Sequence, residues 1–350
     1  MSDEQFIRVI DDEGKVVDEG ALEGISEEDM FRMYRFMVLT KVWDAKALSL
    51  QRQGRLGTLA SVRGQEAANI GMGMALGPKD WFCPSFREYG AMMVRGATLK
   101  DLFIHWGGDE RGARPPEDSR MLPVCITVGS HLLHAAGIAW GAKIRGEKIA
   151  VMSSSGDGST SQGDFFEAMN FAGVFKLPVV FVIQNNHWAI SLPVEKQTAT
   201  ETLAEKACAG GIDGARVDGN DVFAVYVTIK RFLDQARSEF KPGLVELVTY
   251  RLGDHTTSDD ATRYRKEEEV ESWKKRDPID RMRKFLTAHH GWNDEKESEL
   301  TEECNEEVEQ AVKEYEATPS RHPTEIFDYM HAEMPWNLKE QKEDLLRFLD

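Results

Sequence analysis

Two apolar runs, IAVMSSS from Ile149 and VVFVIQ from Val179, flank a stretch of helical period from about Gly163 to Phe175, and each run ends in a polar turn. A strand buried on both faces reads as near-continuous apolar sequence, and a helical crossover between two such strands makes them parallel partners. The alternation begins with a helix from Ser130 to about Ile144. It continues with a strand near Ala215 to Val217, a helix from Val222 to about Phe240, and the strand LVELVTY from Leu244. This pattern predicts an α/β fold, a parallel sheet with helices on both faces.

The flanking segments read differently. FIRVI suggests a short N-terminal strand, and Ser26 caps a helical stretch from Glu27 to about Gln53. Further helices are expected over Gln65 to Met74 and Leu99 to Trp106. GDHTTSDDATRYR has neither helical nor strand period and reads as a mobile loop; the charged tail from Glu267 is helical by pattern. No internal repeat or linker stands out. The expected organisation is one domain over residues 1–350: a helix-rich part over 1–120, the parallel core over 121–252, the loop over 253–265 and a helical C-terminal part over 266–350.

Composition narrows the partners. The chain has 43 basic and 60 acidic residues, a formal net charge of -17, which disfavours nucleic acid and anionic membranes as partners. Cys83, Cys125, Cys208 and Cys304 are widely spaced and form no CxxC pair, so neither a disulfide framework nor a zinc site is expected. The acidic start, MSDEQFIRVIDDEG, does not resemble a leader, and no apolar run approaches the roughly 20 residues of a membrane span. A cytoplasmic location is expected.

The chemistry concentrates in the two polar turns. In an open parallel sheet, turns at the carboxyl ends of neighbouring strands face one crevice, where ligands bind. Gly156 and Gly158 flank Asp157, which lets backbone amides approach a phosphate beside the start of the following helix. The Asp157 carboxylate would repel a bare phosphate unless a divalent cation lay between them. Asn186, closing the next strand, can offer that cation an amide oxygen, and the backbone carbonyl of Trp188 a third oxygen. A Gly-Asp-Gly triplet alone is an ordinary turn; the paired amides Asn185 and Asn186 after an apolar strand make it informative. GDGSTSQG matches neither the dinucleotide GxGxxG nor the P-loop pattern.

GDG followed about thirty residues later by NN, with QGDFFEAMNFAGVFKLP between, resembles the thiamine diphosphate fingerprint of the alpha subunits of 2-oxo acid dehydrogenase first components. The resemblance runs through QRQGRLG, GQEAANIG, FREYG, RVDGNDVFAVY, HTTSDDATRYR, WKKRDP and MPWNLKEQ, nearly the whole chain. It implies that Asp157, Asn186 and the Trp188 carbonyl bind Mg2+. Gly156, Gly158, Ser159 and Arg87 would meet the diphosphate, and Phe86 stands where relatives usually carry tyrosine. The backbones of Ile126 and Val128 would hold the aminopyrimidine, with the Val128 side chain wedging the cofactor into its bent form. His255 would be the catalytic histidine of a closing loop in which Thr256, Thr257 and Ser258 offer hydroxyls for phosphorylation. His131 replaces a common glutamine, leaving a monovalent-cation site there in doubt, and Gln184 stands where some relatives carry a phosphate-binding arginine.

The activating glutamate of thiamine catalysis has no candidate at a matching position. In two-chain relatives it comes from a beta subunit, so the resemblance implies an alpha-two beta-two heterotetramer with a lipoyl-bearing acyltransferase as further partner. The implied reaction is oxidative decarboxylation of a 2-oxo acid with acyl transfer to lipoamide. Pyruvate is favoured as substrate; branched-chain 2-oxo acid and acetoin dehydrogenase alpha subunits are the alternatives.

Overall fold

The computed structural model describes residues 6–349. Its strands are β1 (Trp81–Cys83), β2 (Val151–Gly156), β3 (Val179–Asn185), β4 (Trp188–Ala189), β5 (Leu192–Pro193), β6 (Asp213–Asp218) and β7 (Gly243–Val248). The first helices are α1 (Glu27–Arg52), α2 (Glu66–Ala75), α3 (Tyr89–Val94), α4 (Leu99–Trp106) and α5 (Ser130–Ile144). Then follow α6 (Gly163–Phe175), α7 (Val222–Glu239), α8 (Glu267–Lys274), α9 (Pro278–His289), α10 (Asp294–Glu316) and α11 (Trp336–Leu346).

Five strands pair in the order β1-β2-β3-β7-β6, all parallel, as the alternating pattern predicts. Val179, Phe181 and Ile183 of β3 pack with Leu132, Ala135 and Ala139 of α5 and with Phe165 and Met169 of α6. The intervening Val180 and Val182, equally buried, face the opposite layer, where α7 meets the sheet and α2 lies against α7. Those two helices cross closely at Gly71, where a Cβ would come within 2.6 Å of the Val225 side chain and 2.9 Å of the Val222 carbonyl.

Two local features depart from the pattern. FIRVI forms only isolated bridges, Ile7 with Val217 and Ile10 with Val16. The physical reason is competition: the Asp221 carboxylate accepts the backbone N–H groups of Val9 and Ile10 at 2.6 and 2.7 Å, taking donors that a ladder would need. Conversely, WFC within GPKDWFCP reads as a turn yet supplies the short edge strand β1.

The chain divides into two compact units, the first reaching Val312 and the second starting at Lys313 in the last turns of α10. Within the second, α11 follows a turn over Pro323–Phe327, and Lys342 donates to Asp328 at 2.9 Å. Among the described residues no helix is long and apolar enough to cross a membrane.

Register sets up the crevice. Gly156 pairs with Gln184, which pairs with Leu247, and Asn185 pairs with Val248. The carboxyl ends of β2, β3 and β7 are therefore level, and the residues just beyond them, Asp157, Asn186 and Arg251, emerge side by side.

Candidate active site

A cleft of about 570 Å³ opens at these strand ends. It is lined by the residues expected to meet the cofactor or metal, Phe86, Arg87, Ile126, Val128, Gly156 to Ser159, Asn186, Trp188 and His255, together with Gln184; Asn185 instead donates to Glu246 at 2.7 Å. His131 lies outside the lining, buried, with its Nε2 2.8 Å from the Ser154 carbonyl.

β2 ends in the tight turn Asp157–Ser161 rather than running straight into α6. The turn lies against the β4–β5 hairpin, and a Cβ on Gly158 would come within 2.9 Å of the Ala189 Cβ. Asp157 is 1% exposed. Burial raises its pKa, opposed by hydrogen bonding from Gln197, by backbone amides including that of Asn186, and by the charge of Arg251. Gln197 Nε2 donates to Asp157 Oδ2 at 2.8 Å. On the adjacent strand end, Asn186 accepts the Trp188 N–H at its Oδ1 (3.3 Å) and donates from Nδ2 to Gln65 Oε1 (3.1 Å).

Opposite this acidic corner stand two buried guanidinium groups. Arg87 donates to the carbonyls of Ser61 and His255, the latter at 3.1 Å. Arg251 is fully buried and donates to the Trp188 carbonyl (3.1 Å), the Ile190 carbonyl (2.7 Å) and the Tyr264 hydroxyl (2.9 Å). Among the described residues, every hydrogen-bond partner of these two side chains is a carbonyl, a hydroxyl or the His255 ring. Burial lowers both pKa values, that of Arg251 to about 10. Two buried cations without a carboxylate partner are unfavourable unless an anion joins them, and Arg87 lines the cleft, so the cleft suits an anionic ligand.

The same pair determines the state of His255. Arg87 Nη2 and Arg251 Nη1 each lie 3.3 Å from its Nδ1. A guanidinium only donates, so Nδ1 is the acceptor and the proton sits on Nε2. Burial, then the charges of Arg87 and Arg251, push the pKa down to about 4. His255 is thus a neutral donor at Nε2, stacked edge-on with Phe86 at 6.2 Å. Its segment is tied to the residues after α1: Thr257 N donates to the Leu59 carbonyl (2.9 Å) and Leu252 N to the Arg63 carbonyl (3.1 Å). The Asp259 carboxylate accepts the His255 N–H at 2.8 Å and the Tyr264 hydroxyl.

A pH dependence follows. Between about 4 and the ordinary histidine value of 6.5, the unfolded chain binds a proton at residue 255 that the folded chain refuses, so stability falls as pH drops through this window. Melting temperatures of the parent and of His255→Gln, measured without cofactor from pH 7 to 4.5, should diverge, with the parent losing more. Parallel curves would mean that His255 is not held neutral.

Sequence reasoning missed several contributors. Arg251 looks like one more arginine after a strand, although its position four residues before the candidate histidine is a signal. Glu88 lines the cleft and burial raises its pKa to about 7. Its oxygens are engaged by Ser154 Oγ (3.0 Å), Gln184 Nε2 (2.9 Å) and the Arg87 N–H (2.9 Å). The contacts of Gln65 with Asn186 and of Gln197 with Asp157 span long sequence separations.

The fold and cleft define an α/β protein with a cleft suited to an anionic ligand at the carboxyl ends of parallel strands. Residues 34–324 match the family described as the dehydrogenase E1 component. The chain is 44% identical over 342 residues to the pyruvate dehydrogenase E1 component subunit alpha of Acholeplasma laidlawii, covering 97% of this chain and 99% of the relative. It is 40% identical to the subunits of the same name from Bacillus subtilis (strain 168), over 96% of this chain and 91% of the relative, and from Staphylococcus epidermidis, over 97% and 92%. The chain belongs to the dehydrogenase E1 component family, whose enzymes depend on thiamine diphosphate.

Proposed function

We propose that this chain is the alpha subunit of the decarboxylating first component of a 2-oxo acid dehydrogenase complex, acting on pyruvate in the cytoplasm. The observation that carries this reading is the Asp157 carboxylate beside the Asn186 amide, in one cleft with the Arg87 guanidinium, which lacks a carboxylate partner and shares the His255 ring with the buried Arg251. The donor set suits Mg2+, which favours oxygen ligands and usually draws only a few from protein. Asp157, Asn186 and the Trp188 carbonyl would hold it; that carbonyl already accepts from Arg251 but keeps a second lone pair. Gly156, Gly158, Ser159 and Arg87 would receive the diphosphate, with Phe86 and the backbones of Ile126 and Val128 beside the rest of the cofactor. Bound there, thiamine diphosphate supplies the carbon nucleophile and the electron sink for loss of carbon dioxide.

This chain's own share is to bind, orient and donate. His255, neutral with its proton on Nε2, can hold an oxygen of the substrate or of the departing acyl group. A second chain supplies what the cleft lacks. Glu88 is fully engaged, and Ile126 and Val128 are 61% and 37% exposed, which is unusual for residues meant to enclose a cofactor. A beta subunit covering this mouth and bringing the activating glutamate accounts for both, and a lipoyl-bearing acyltransferase takes the acyl group. The relatives named above support pyruvate as the substrate.

The test is co-expression with the beta chain and assay on pyruvate and on branched-chain 2-oxo acids with Mg2+ and thiamine diphosphate. Pyruvate should be the better substrate and the isolated alpha chain inactive. Activity of the isolated chain would overturn the half-site; preference for a branched-chain acid would overturn the substrate.

A further inference from the structure

Two glutamines that the reaction does not otherwise use touch Asn186 and Asp157, Gln65 from within the cleft lining and Gln197 from outside it, and the direction of their amide groups follows from their neighbours. The Trp188 backbone N–H can only donate, and it meets Asn186 Oδ1 at 3.3 Å. Nδ2 of Asn186 therefore faces the other way, and it donates to Gln65 Oε1 at 3.1 Å. Gln65 Nε2 is then left over: it is buried, with no partner among the described residues. Gln197 has the opposite polarity. Its Nε2 lies between two pure acceptors, Asp157 Oδ2 at 2.8 Å and the Leu192 carbonyl at 3.2 Å, so the nitrogen must occupy that place.

One glutamine thus works through its oxygen and the other through its nitrogen. An asparagine amide can present either end to a cleft, and only the oxygen end binds a cation. A carboxylate can swing between rotamers unless one oxygen is tied. We propose that Gln65 and Gln197 are positioning residues that orient Asn186 and Asp157 as a pair of cation ligands, Gln65 as an acceptor and Gln197 as a donor. This rests on the cation seat given under Proposed function.

The opposite polarities give an asymmetric test with the assembled alpha-beta protein. Mn2+ affinity is measured by electron paramagnetic resonance in the presence of thiamine diphosphate. Gln65→Glu keeps an acceptor oxygen for Asn186, replaces the unpartnered nitrogen by a second oxygen and adds a negative charge beside the cation seat, so it should bind Mn2+ no more weakly than the parent. Gln65→Met removes the acceptor and should weaken binding about tenfold or more, the size of one lost hydrogen bond. Gln197→Glu loses both donors and sets a carboxylate against Asp157; it should weaken binding at least as much as Gln65→Met. Equal losses for the two Gln65 variants, or parent-like binding by Gln197→Glu, would overturn the assignment. If Gln65→Met does not assemble, the contrast between the two glutamate variants decides alone. Asp157→Ala separates the two levels of inference. If it too binds Mn2+ like the parent, the cation seat itself is wrong; if it loses binding while the predicted asymmetry fails, only the roles of the glutamines are wrong.

Discussion

Replacing Asp157 by alanine is expected to abolish the rise in melting temperature that Mg2+ and thiamine diphosphate together produce in the assembled protein. A ligand present at a hundred times its dissociation constant stabilises the folded state by about 2.7 kcal/mol, and this increment disappears when the ligand no longer binds. Without ligand, the variant should melt close to the parent's temperature, because two opposing effects partly cancel. Burial raises the Asp157 pKa, so ionising this group costs more in the folded chain than in the unfolded one. For a raised carboxyl pKa this cost is absent below the unfolded value of 3.8 and complete above the folded value. Alanine removes the cost but leaves both the Gln197 donor and the Asn186 backbone N–H short of one partner, an opposing loss of about 1–3 kcal/mol each. A cofactor-dependent shift as large in Asp157→Ala as in the parent would place the cation elsewhere.

Much of this architecture is legible in the sequence because the sheet is buried on both sides. β3 and β7 are buried at every residue and announce themselves as apolar runs. The crevice follows from them: once β2 and β3 are parallel neighbours in register, the residues after them share one edge, and Asp157 and Asn186 converge. Where a side chain takes over backbone bonding, local pattern misleads. FIRVI has strand-like residues, but the Asp221 carboxylate, far along the chain, takes two of its amides. β1 is concealed for the opposite reason, being three residues between turn signals whose strand state comes from pairing with β2 on one side and with Met121 on the other.

The chemistry of the site is less legible than its location. Gly156, Asp157 and Asn186 stand out because glycine and paired amides are unusual at strand ends. Nothing in the residues around His255 indicates that it is neutral, because that depends on Arg87 and Arg251 approaching one ring nitrogen from separate segments. The cleft's positive side is likewise a tertiary property: on composition alone the chain is strongly acidic, with a net charge of -17. Local sign and overall sign are independent, since charges beyond about 10 Å are screened in 0.1 M salt.

Arg251 carries the second large expectation. Arg251→Met keeps much of the side-chain volume but removes one of the two cations and the donors to the Trp188 and Ile190 carbonyls and the Tyr264 hydroxyl. Without cofactor, two effects oppose each other. Repulsion between Arg251 and Arg87 is relieved, which favours the variant, while buried acceptors are left unpaired at about 1–3 kcal/mol each. The second effect is the larger, because more than one acceptor is stranded, so the variant should be less stable by a few kcal/mol. Cofactor binding should also weaken, by about tenfold, since Arg251, although outside the cleft lining, adds positive charge beside Arg87 and His255 and holds the Trp188 carbonyl. Isothermal titration of the assembled protein with thiamine diphosphate at saturating Mg2+ measures it. Arg251→Lys separates the causes: it keeps the charge without the planar fork, so it should recover more of the affinity than of the stability. If Arg251→Met bound the cofactor as tightly as the parent, Arg251 would be a strut for the β4–β5 hairpin and the His255 loop, and the anion would be held by Arg87 and the backbone amides alone.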